Sequence, residues 1–272
     1  ISTETRSVRL ETYIYSAGKP GDDIRSALIV AVKRGVKVKV LIDGFGSSEL
    51  PAGYWNNLRA AGGECKVFNP LDQGRIIIRD HRKLLVCDSA VAIIGGFNVT
   101  GEELGDGITR GWRDLALRIE GSVAAELETS FDGIYGIAEF KHKRLPRLRS
   151  LLSCHWKKQT LLPRICLLAG APGGWQSPIK RALKADTEKS LSIRIISAYF
   201  LPSFQAIRLL RKASKRHGDV QIITSGKTDV MMARYAGRSM FHRLLHSRIR
   251  LYEYDTQILH TKLFVIDNAV YV

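Results

Sequence analysis

Apolar residues recur along this chain in two rhythms, one of period two and one of period 3.6, and the same succession of rhythms is met twice. Val8-Arg9-Leu10-Glu11-Thr12-Tyr13-Ile14-Tyr15 is an extended run. The turn Gly18-Lys19-Pro20-Gly21 follows, with Asp22 or Asp23 as the expected N-cap of a helix. Ile24, Ala27, Leu28, Ala31 and Val32 then return at helical spacing, and Gly35 ends the helix. Val36-Lys37-Val38-Lys39-Val40-Leu41-Ile42 first alternates and then turns continuously apolar, the pattern of a strand entering a core sheet. The result is a strand–helix–strand unit.

The second half repeats that order. Ser192 to Phe200 reads as a strand, Pro202-Ser203 opens a helix lined by Ile207, Leu209, Leu210 and Ala213, and Gly218 closes it before the strand Val220-Gln221-Ile222-Ile223-Thr224. Each half continues through a second helical segment, Tyr54 to Ala61 or Met231 to Leu245. A short strand follows it, Cys65 to Phe68 or Ile249 to Tyr252. One strand–helix–strand unit is common and means little, but two in the same order imply an internal duplication or a pseudo-twofold pair of halves. The fold class expected is α/β, with two similar α/β/α halves built on mixed, largely parallel sheets.

Between the halves, Lys141-His142-Lys143-Arg144-Leu145-Pro146-Arg147-Leu148-Arg149 and Trp156-Lys157-Lys158 form a basic stretch, and Gly170-Ala171-Pro172-Gly173-Gly174 reads as loop. An exposed linker is the plain interpretation. A contact with anionic lipid headgroups, helped by Trp156 and Trp175, is the sharper one. The organisation expected is a first half over 1–140, a basic connection over 141–180 and a second half over 181–272.

Composition narrows the class. Hydrophobic residues at 45% and charged residues at 25% suit an ordinary globular protein and exclude a disordered one. With 42 Lys+Arg against 26 Asp+Glu, the formal charge of +16 favours polyanions, either nucleic acid or an anionic membrane surface, or else marks a well-solvated basic protein. The four cysteines (Cys65, Cys87, Cys154, Cys166) make no CxxC pair and no zinc-like spacing, so neither a disulfide framework nor a structural metal is expected, and Cys87 and Cys166 read as buried thiols. The most hydrophobic stretch, Ile24 to Ile42, is interrupted by Arg25, Lys33, Arg34, Lys37 and Lys39, too many charges for a bilayer span. No secretory signal is seen. The sequence opens on Ile1 and closes in an apolar run at Val272, and it is read as a piece of a longer protein.

The candidate chemistry lies in His81-Arg82-Lys83-Leu84-Leu85-Val86-Cys87-Asp88 and His260-Thr261-Lys262-Leu263-Phe264-Val265-Ile266-Asp267. Both place His and Lys two residues apart at the start of an apolar strand, where the period of two turns both side chains to one face. Two copies at corresponding places of a duplicated framework point to one cleft holding two imidazoles and two ammonium groups. Downstream of the first copy, Ile93-Ile94-Gly95-Gly96-Phe97-Asn98 offers glycines that let backbone approach an anion and an amide that can donate to a phosphoryl oxygen. Asp88 and Asp267 stand seven residues past their histidines, about 23 Å along a straight strand at ~3.3 Å per residue. That is too far for a direct bond, so bracing of the turn is their expected part. Asp114 or Glu102 is the expected carboxylate orienting an imidazole.

These motifs resemble the phospholipase D superfamily, in which two His-x-Lys-x4-Asp motifs, each followed by Gly-Gly/Ser-x-Asn, share one site. The resemblance covers nearly the whole chain. It implies a histidine that attacks phosphorus and a second that protonates the leaving alcohol and then deprotonates the acceptor. His81 is assigned as nucleophile and His260 as acid/base, with Lys83, Lys262 and Asn98 stabilising phosphoryl charge and no metal or cofactor required. The second Gly-Ser-x-Asn is not reached before Val272, so weak or absent activity is expected of these 272 residues alone.

Further stretches resemble the bacterial cardiolipin synthases: Leu41-Ile42-Asp43-Gly44-Phe45-Gly46-Ser47, Trp112 to Gly121, Tyr199-Phe200-Leu201-Pro202 and Leu251-Tyr252-Glu253-Tyr254. That resemblance implies transfer of a phosphatidyl group between two phosphatidylglycerol molecules, with release of glycerol. The implied partners are that anionic phospholipid and the bacterial cytoplasmic membrane surface, reached peripherally or through an anchor outside this sequence. A hydrolytic phospholipase D, a nuclease of the same superfamily and a non-catalytic lipid- or nucleic-acid-binding module stay open as alternatives. Nucleic acid is the less favoured partner, because the compact nucleases carry one motif per chain. No protein partner can be inferred.

Overall fold

A computed structural model describes residues 1–3, 5–71, 79–138, 159–162, 165–167, 178–216 and 218–272, with backbone alone for 159–162 and 165–167. The basic stretch and Trp156 and Trp175 lie outside the described residues. The chain divides into two compact units, Ile1–Gly101 with Ala116–Pro178, and Glu102–Leu115 with Ile179–Val272. The segment Glu102–Leu115, which by sequence order falls in the first half, therefore packs with the second.

The first unit is built on six strands: β1 (Ser7–Thr12), β2 (Lys37–Asp43), β3 (Glu64–Phe68), β4 (Leu84–Cys87), β5 (Val91–Gly95) and β6 (Ala116–Glu120). Their order is β3-β2-β1-β4-β5-β6. Pairing is parallel from β1 through β2 to β3 and antiparallel from β1 through β4 and β5 to β6. The helices are α1 (Gly21–Lys33), α2 (Asn56–Ala60) and α3 (Ser122–Ile137). Adjacent residues of β2 show why the unit has three layers. Val38 and Val40 pack with Leu28, Ala31 and Leu58 of α1 and α2 on one face. Leu41 packs with Leu127, Phe131 and Ile134 of α3 on the other. Burying a Leu or Phe on either face stabilises the fold by about 1.5–3 kcal/mol per side chain, which fixes the register of the central strands.

The helix α1 starts at Gly21, so Asp22 and Asp23 lie within its first turn instead of capping it. Asp22 Oδ2 accepts from the Gly18 amide across the preceding turn. Gly35 adopts φ +90° after the helix, the left-handed conformation expected of a terminating glycine. Next come a backbone hairpin of β7 (Gln159–Leu162) and β8 (Ile165–Leu167) and the helix α4 (Pro178–Lys189).

The second unit repeats the core of the first. Its strands are β9 (Ser192–Ser197), β10 (Asp219–Ser225), β11 (Arg250–Tyr254), β12 (Lys262–Ile266) and β13 (Ala269–Tyr271), in the order β11-β10-β9-β12-β13. This matches β3-β2-β1-β4-β5 strand for strand, with parallel pairs on one side of β9 and antiparallel pairs on the other. Each half is thus a mixed α/β sheet, and the similarity expected of the two halves holds at the level of strand order. The helix α5 (Phe204–Lys215) is capped by Ser203, whose hydroxyl accepts from the Ala206 amide. It packs Ile207, Leu210 and Ala213 against Ile193, Ile195 and Ile222. The stretch read as one helix over Met231 to Leu245 is two, α6 (Met231–Arg238) and α7 (Phe241–Leu245). Gly237 of α6 lies against the backbone of Phe200, where a Cβ would stand 3.0 Å from the carbonyl oxygen.

Candidate active site

The two motif aspartates stand at turns. Asp88 and Ser89 both take positive φ, 53° and 56°, at the centre of the turn Cys87–Ala90 between β4 and β5, the backbone of a twisted hairpin turn that accepts Asp readily. Asp88 Oδ1 accepts from the amides of Arg6 and Ser7 and Oδ2 from Thr5, so the carboxylate ties the end of β4 to the start of β1. Burial works against its ionisation, but the amides of Thr5, Ser7 and Arg6 outweigh it and hold the carboxyl below its usual range. Asp267, also at positive φ, accepts through Oδ1 from the amides of Leu191 and Ser192 in the corresponding place before β9.

At the opposite end of β4, Lys83 Nζ lies 3.1 Å from Nδ1 of His81 and donates to the His81 carbonyl at 2.9 Å. The imidazole is exposed and rests against Tyr13, with ring centroids 4.3 Å apart. The backbone on either side of it is held from beneath. Asp80 donates its amide to Asp43 Oδ2 at 2.8 Å, and the Asp43 Oδ1 accepts from Phe45 and Gly46. Arg82 forms an ion pair with Glu11 at 2.9 Å, where the Glu11 side chain is only 1% exposed. Burial pushes the Glu11 carboxyl up while Arg82 pulls it down. Asn98, buried beyond β5, accepts through Oδ1 from the Ile14 amide at 3.2 Å, which orients its carboxamide.

In the second unit, Lys262 Nζ stands 2.6 Å from Nε2 of His260 and donates to its carbonyl. The other ring nitrogen, Nδ1, lies 2.6 Å from Asp114 Oδ2, with both side chains buried. The backbone of Arg113 brings the carboxylate there. Its amide donates to Ile258, and its carbonyl accepts from His260 and Thr261. The Trp112 ring covers the imidazole at 5.2 Å between centroids. With a carboxylate on Nδ1 and an ammonium on Nε2, the ring carries its proton on Nδ1. Burial drives the Lys262 ammonium down to about 8, against the opposing pull of Asp114, Glu103 and Asp229.

Glu103, Asp114 and His260 present their ligand atoms within 4.8 Å of one another, the composition of a cation site. The Lys262 ammonium already stands at hydrogen-bond distance from the same ring, and Asp114 engages Nδ1, so the positive charge that this group attracts is supplied by a side chain.

Residues 1–135 and 184–272 match the family described as cardiolipin synthase, PLD-like domain, a span that includes both His–Lys pairs. The chain belongs to this family. The phospholipase D-like chain is 29% identical over 282 residues to cardiolipin synthase B of Salmonella typhi, across 98% of this chain and 66% of the relative. It is 32% identical over 272 residues to a cardiolipin synthase of Geobacillus sp. (strain WCH70), across 98% and 54%. It therefore spans between about half and two thirds of the length of these curated relatives. Its fold is similar to that of the phosphatidylserine synthase of Haemophilus influenzae Rd KW20, with a TM-score of 0.68 and 12% identity, across 98% of this chain and 72% of that one.

Within this phospholipase D-like framework, Asp114 is the carboxylate on His260, while Glu102 is exposed and its carbonyl accepts from the Trp112 amide. Its neighbour Glu103 is the acid that approaches the imidazole. Sequence reasoning missed Glu103, Tyr13, Trp112 and Asp43. The Glu102-Glu103 pair on a three-residue turn carries no signal that tells one from the other. Trp112, two positions before Asp114 on an extended segment, could have been found by the period of two. Cys87 is buried, and burial pushes the half-buried Cys65 thiol up to about 12. Cys154 and the side chain of Cys166 lie outside the described residues. Among those residues no helix is long and apolar enough to cross a membrane.

Proposed function

We propose that this chain carries the phosphatidyl-transfer chemistry of a cardiolipin synthase, joining two phosphatidylglycerol molecules and releasing glycerol. The observation that supports it best is the pair of matched His–Lys contacts, one of them backed by the buried Asp114, in a chain of this family. In this reading both pairs serve one site. Nε2 of His81 attacks phosphorus, the bond from phosphorus to the glycerol oxygen breaks, and the departing oxygen takes a proton from His260. A second phosphatidylglycerol then gives its hydroxyl proton to His260 as its oxygen attacks phosphorus and the bond to His81 breaks. Asp114 holds the Nδ1 proton and stabilises the imidazolium form, so Nε2 exchanges the proton. Lys83, Lys262 and the Asn98 amide offset charge on the phosphoryl oxygens. Asp88 and Asp267 secure the strands that carry these groups.

The surroundings of the two histidines support this assignment of roles. His81 is exposed, as a nucleophile that must reach phosphorus requires, and His260 is buried against a carboxylate, as a proton carrier requires. The substrate reading also fits the +16 charge, which attracts an anionic membrane leaflet. The test is a product assay on the complete gene product with labelled phosphatidylglycerol. Cardiolipin with stoichiometric glycerol is expected. Phosphatidic acid alone would make the protein a hydrolase, and cleavage of single-stranded DNA lost in His81→Ala would make it a nuclease.

A further inference from the structure

The second unit exposes large apolar side chains at one end of its sheet. Met232 is 84% exposed, Phe204 69% and Tyr235 64%, with Leu201, Val230 and Met231 beside them in the chain. Single exposed apolar residues need no explanation, but these belong to one surface. The Tyr199 hydroxyl bonds to Asp229, joining the loop before α5 to the start of α6. Gly237 of α6 rests on the Phe200 carbonyl. The Arg243 guanidinium of α7 lies 5.3 Å over the Phe204 ring.

The topology places this surface beside the candidate site. The loops 198–203 and 226–230 leave the C-terminal ends of β9 and β10, which run parallel. β12 runs the other way and pairs Lys262 with Ser197 at the end of β9. The apolar fringe and the His260–Lys262 pair therefore emerge at the same end of the sheet, and Asp229 is close enough to act on the Lys262 ammonium.

Charge completes the picture. Arg208 follows Phe204 by one helical turn, Arg243 lies over the Phe204 ring, and Arg234 precedes Tyr235 on α6. Asp229 accepts from the Tyr199 hydroxyl, and Glu253 pairs with Arg238. Arg234 faces the hollow between α6 and Phe200, and its buried Nε has no hydrogen-bond partner among the described residues. Apolar tips backed by guanidinium groups suit a bilayer interface, where tips enter the acyl region and cations meet headgroup phosphates.

We propose that the surface formed by Leu201, Phe204, Val230, Met231, Met232 and Tyr235 inserts into an anionic lipid bilayer and presents headgroups to the His260 side of the site. This inference rests on the lipid-substrate reading above and adds the face through which lipid arrives.

The experiment is flotation of the whole 272-residue chain with phosphatidylglycerol or phosphatidylcholine vesicles. Wild type is expected to float with phosphatidylglycerol, and Met232→Asp and Tyr235→Asp each to weaken binding about tenfold or more. Leu191→Asp is the control: Leu191 is 65% exposed but stands at the opposite end of β9, and its replacement is expected to leave binding unchanged. Urea unfolding midpoints check that each variant is folded. Equal binding by wild type and Met232→Asp would overturn the proposal, as would an equal loss in Leu191→Asp. It would also fail if Met232→Asp dissolved a dimer without changing vesicle binding, which would make the surface a subunit interface. Product formation is assayed separately on the complete gene product. Met232-dependent vesicle binding without cardiolipin would uphold the surface and count against the reaction alone.

Discussion

Asp114 and His260 share a 2.6 Å contact across 146 positions of sequence, and both side chains are buried. A buried carboxylate on Nδ1 fixes the tautomer and the orientation of the ring, so its charge should matter more than its volume. Asp114→Asn is expected to lower kcat by about 10²-fold or more, with KM changed much less. A KM effect with kcat intact would remove Asp114 from the chemistry.

Lys262 gives an alkaline prediction. Its ammonium, lowered to about 8, is charged at neutral pH and discharged above it. Phosphoryl stabilisation should therefore fade through an apparent pKa near 8. Lys262→Arg, charged throughout, should be slower at pH 7 but lack that limb. Initial rates from pH 6 to 10 decide it.

The same lysine links function to stability. In the unfolded chain a lysine titrates near ~10.4, so between about 8 and that value the unfolded state holds the extra proton and stability rises with pH. Below about pH 8 both states are protonated and the full cost of the buried cation is present. Lys262→Met should therefore be more stable at pH 7 by about 1 kcal/mol, a figure reduced for the solvent that still reaches the group. The gain should vanish towards pH 10. Urea titrations at the two pH values provide the comparison.

Asp88 is expected to act on the fold. Asp88→Ala removes the acceptor for three amides and puts Ala at a positive φ, which should cost about 1–3 kcal/mol. Because its folded pKa is depressed, the contribution is present above the unfolded value of ~3.9 and disappears as pH falls through the folded one. Turnover per folded molecule should change less than tenfold. A loss like that of His81→Ala would assign the carboxylate to the chemistry.

The ion pair under His81 offers a double-mutant test. Arg82→Ala leaves Glu11 buried without its guanidinium and should destabilise by about 3–5 kcal/mol. Arg82→Met with Glu11→Leu should recover most of that loss, since the pair's own desolvation also disappears. Thermal melts of the single and double variants measure the coupling.

Much of this architecture was legible because burial imposes a regular apolar pattern on its strands and helices. The run Val36 to Ile42 changes from alternating to continuous where β2 passes between two helical layers, and β9, β10 and α5 were readable for the same reason. His–Lys contact was legible too, because alternate residues on extended backbone share a side. What escaped was non-local or isotropic. Nothing near Asp114 announces Ile258, whose carbonyl docks the neighbouring backbone, and Glu102 and Glu103 differ only by the direction in which a tight turn sends them. The turn at Ser239-Met240 that divides Met231 to Leu245 into two helices carries neither Gly nor Pro to announce it. The x4 spacing does have a local cause: moving Asp88 by one residue along β4 would turn Lys83 to the wrong side of the sheet or lift the carboxylate from the Thr5–Ser7 amides.

The path of the chain between β5 and β6 makes the two halves unequal partners. Glu102–Leu115 leaves the first sheet, lends Asp114 to His260, and returns. A cut anywhere from 140 to 177 would therefore yield two pieces of which the later, though it retains an intact motif, has lost the acid that governs its imidazole. The halves are alike in plan but are not interchangeable cassettes. Shuffling, splitting or recombining them at the apparent midpoint would orphan a histidine that the motif alone presents as complete.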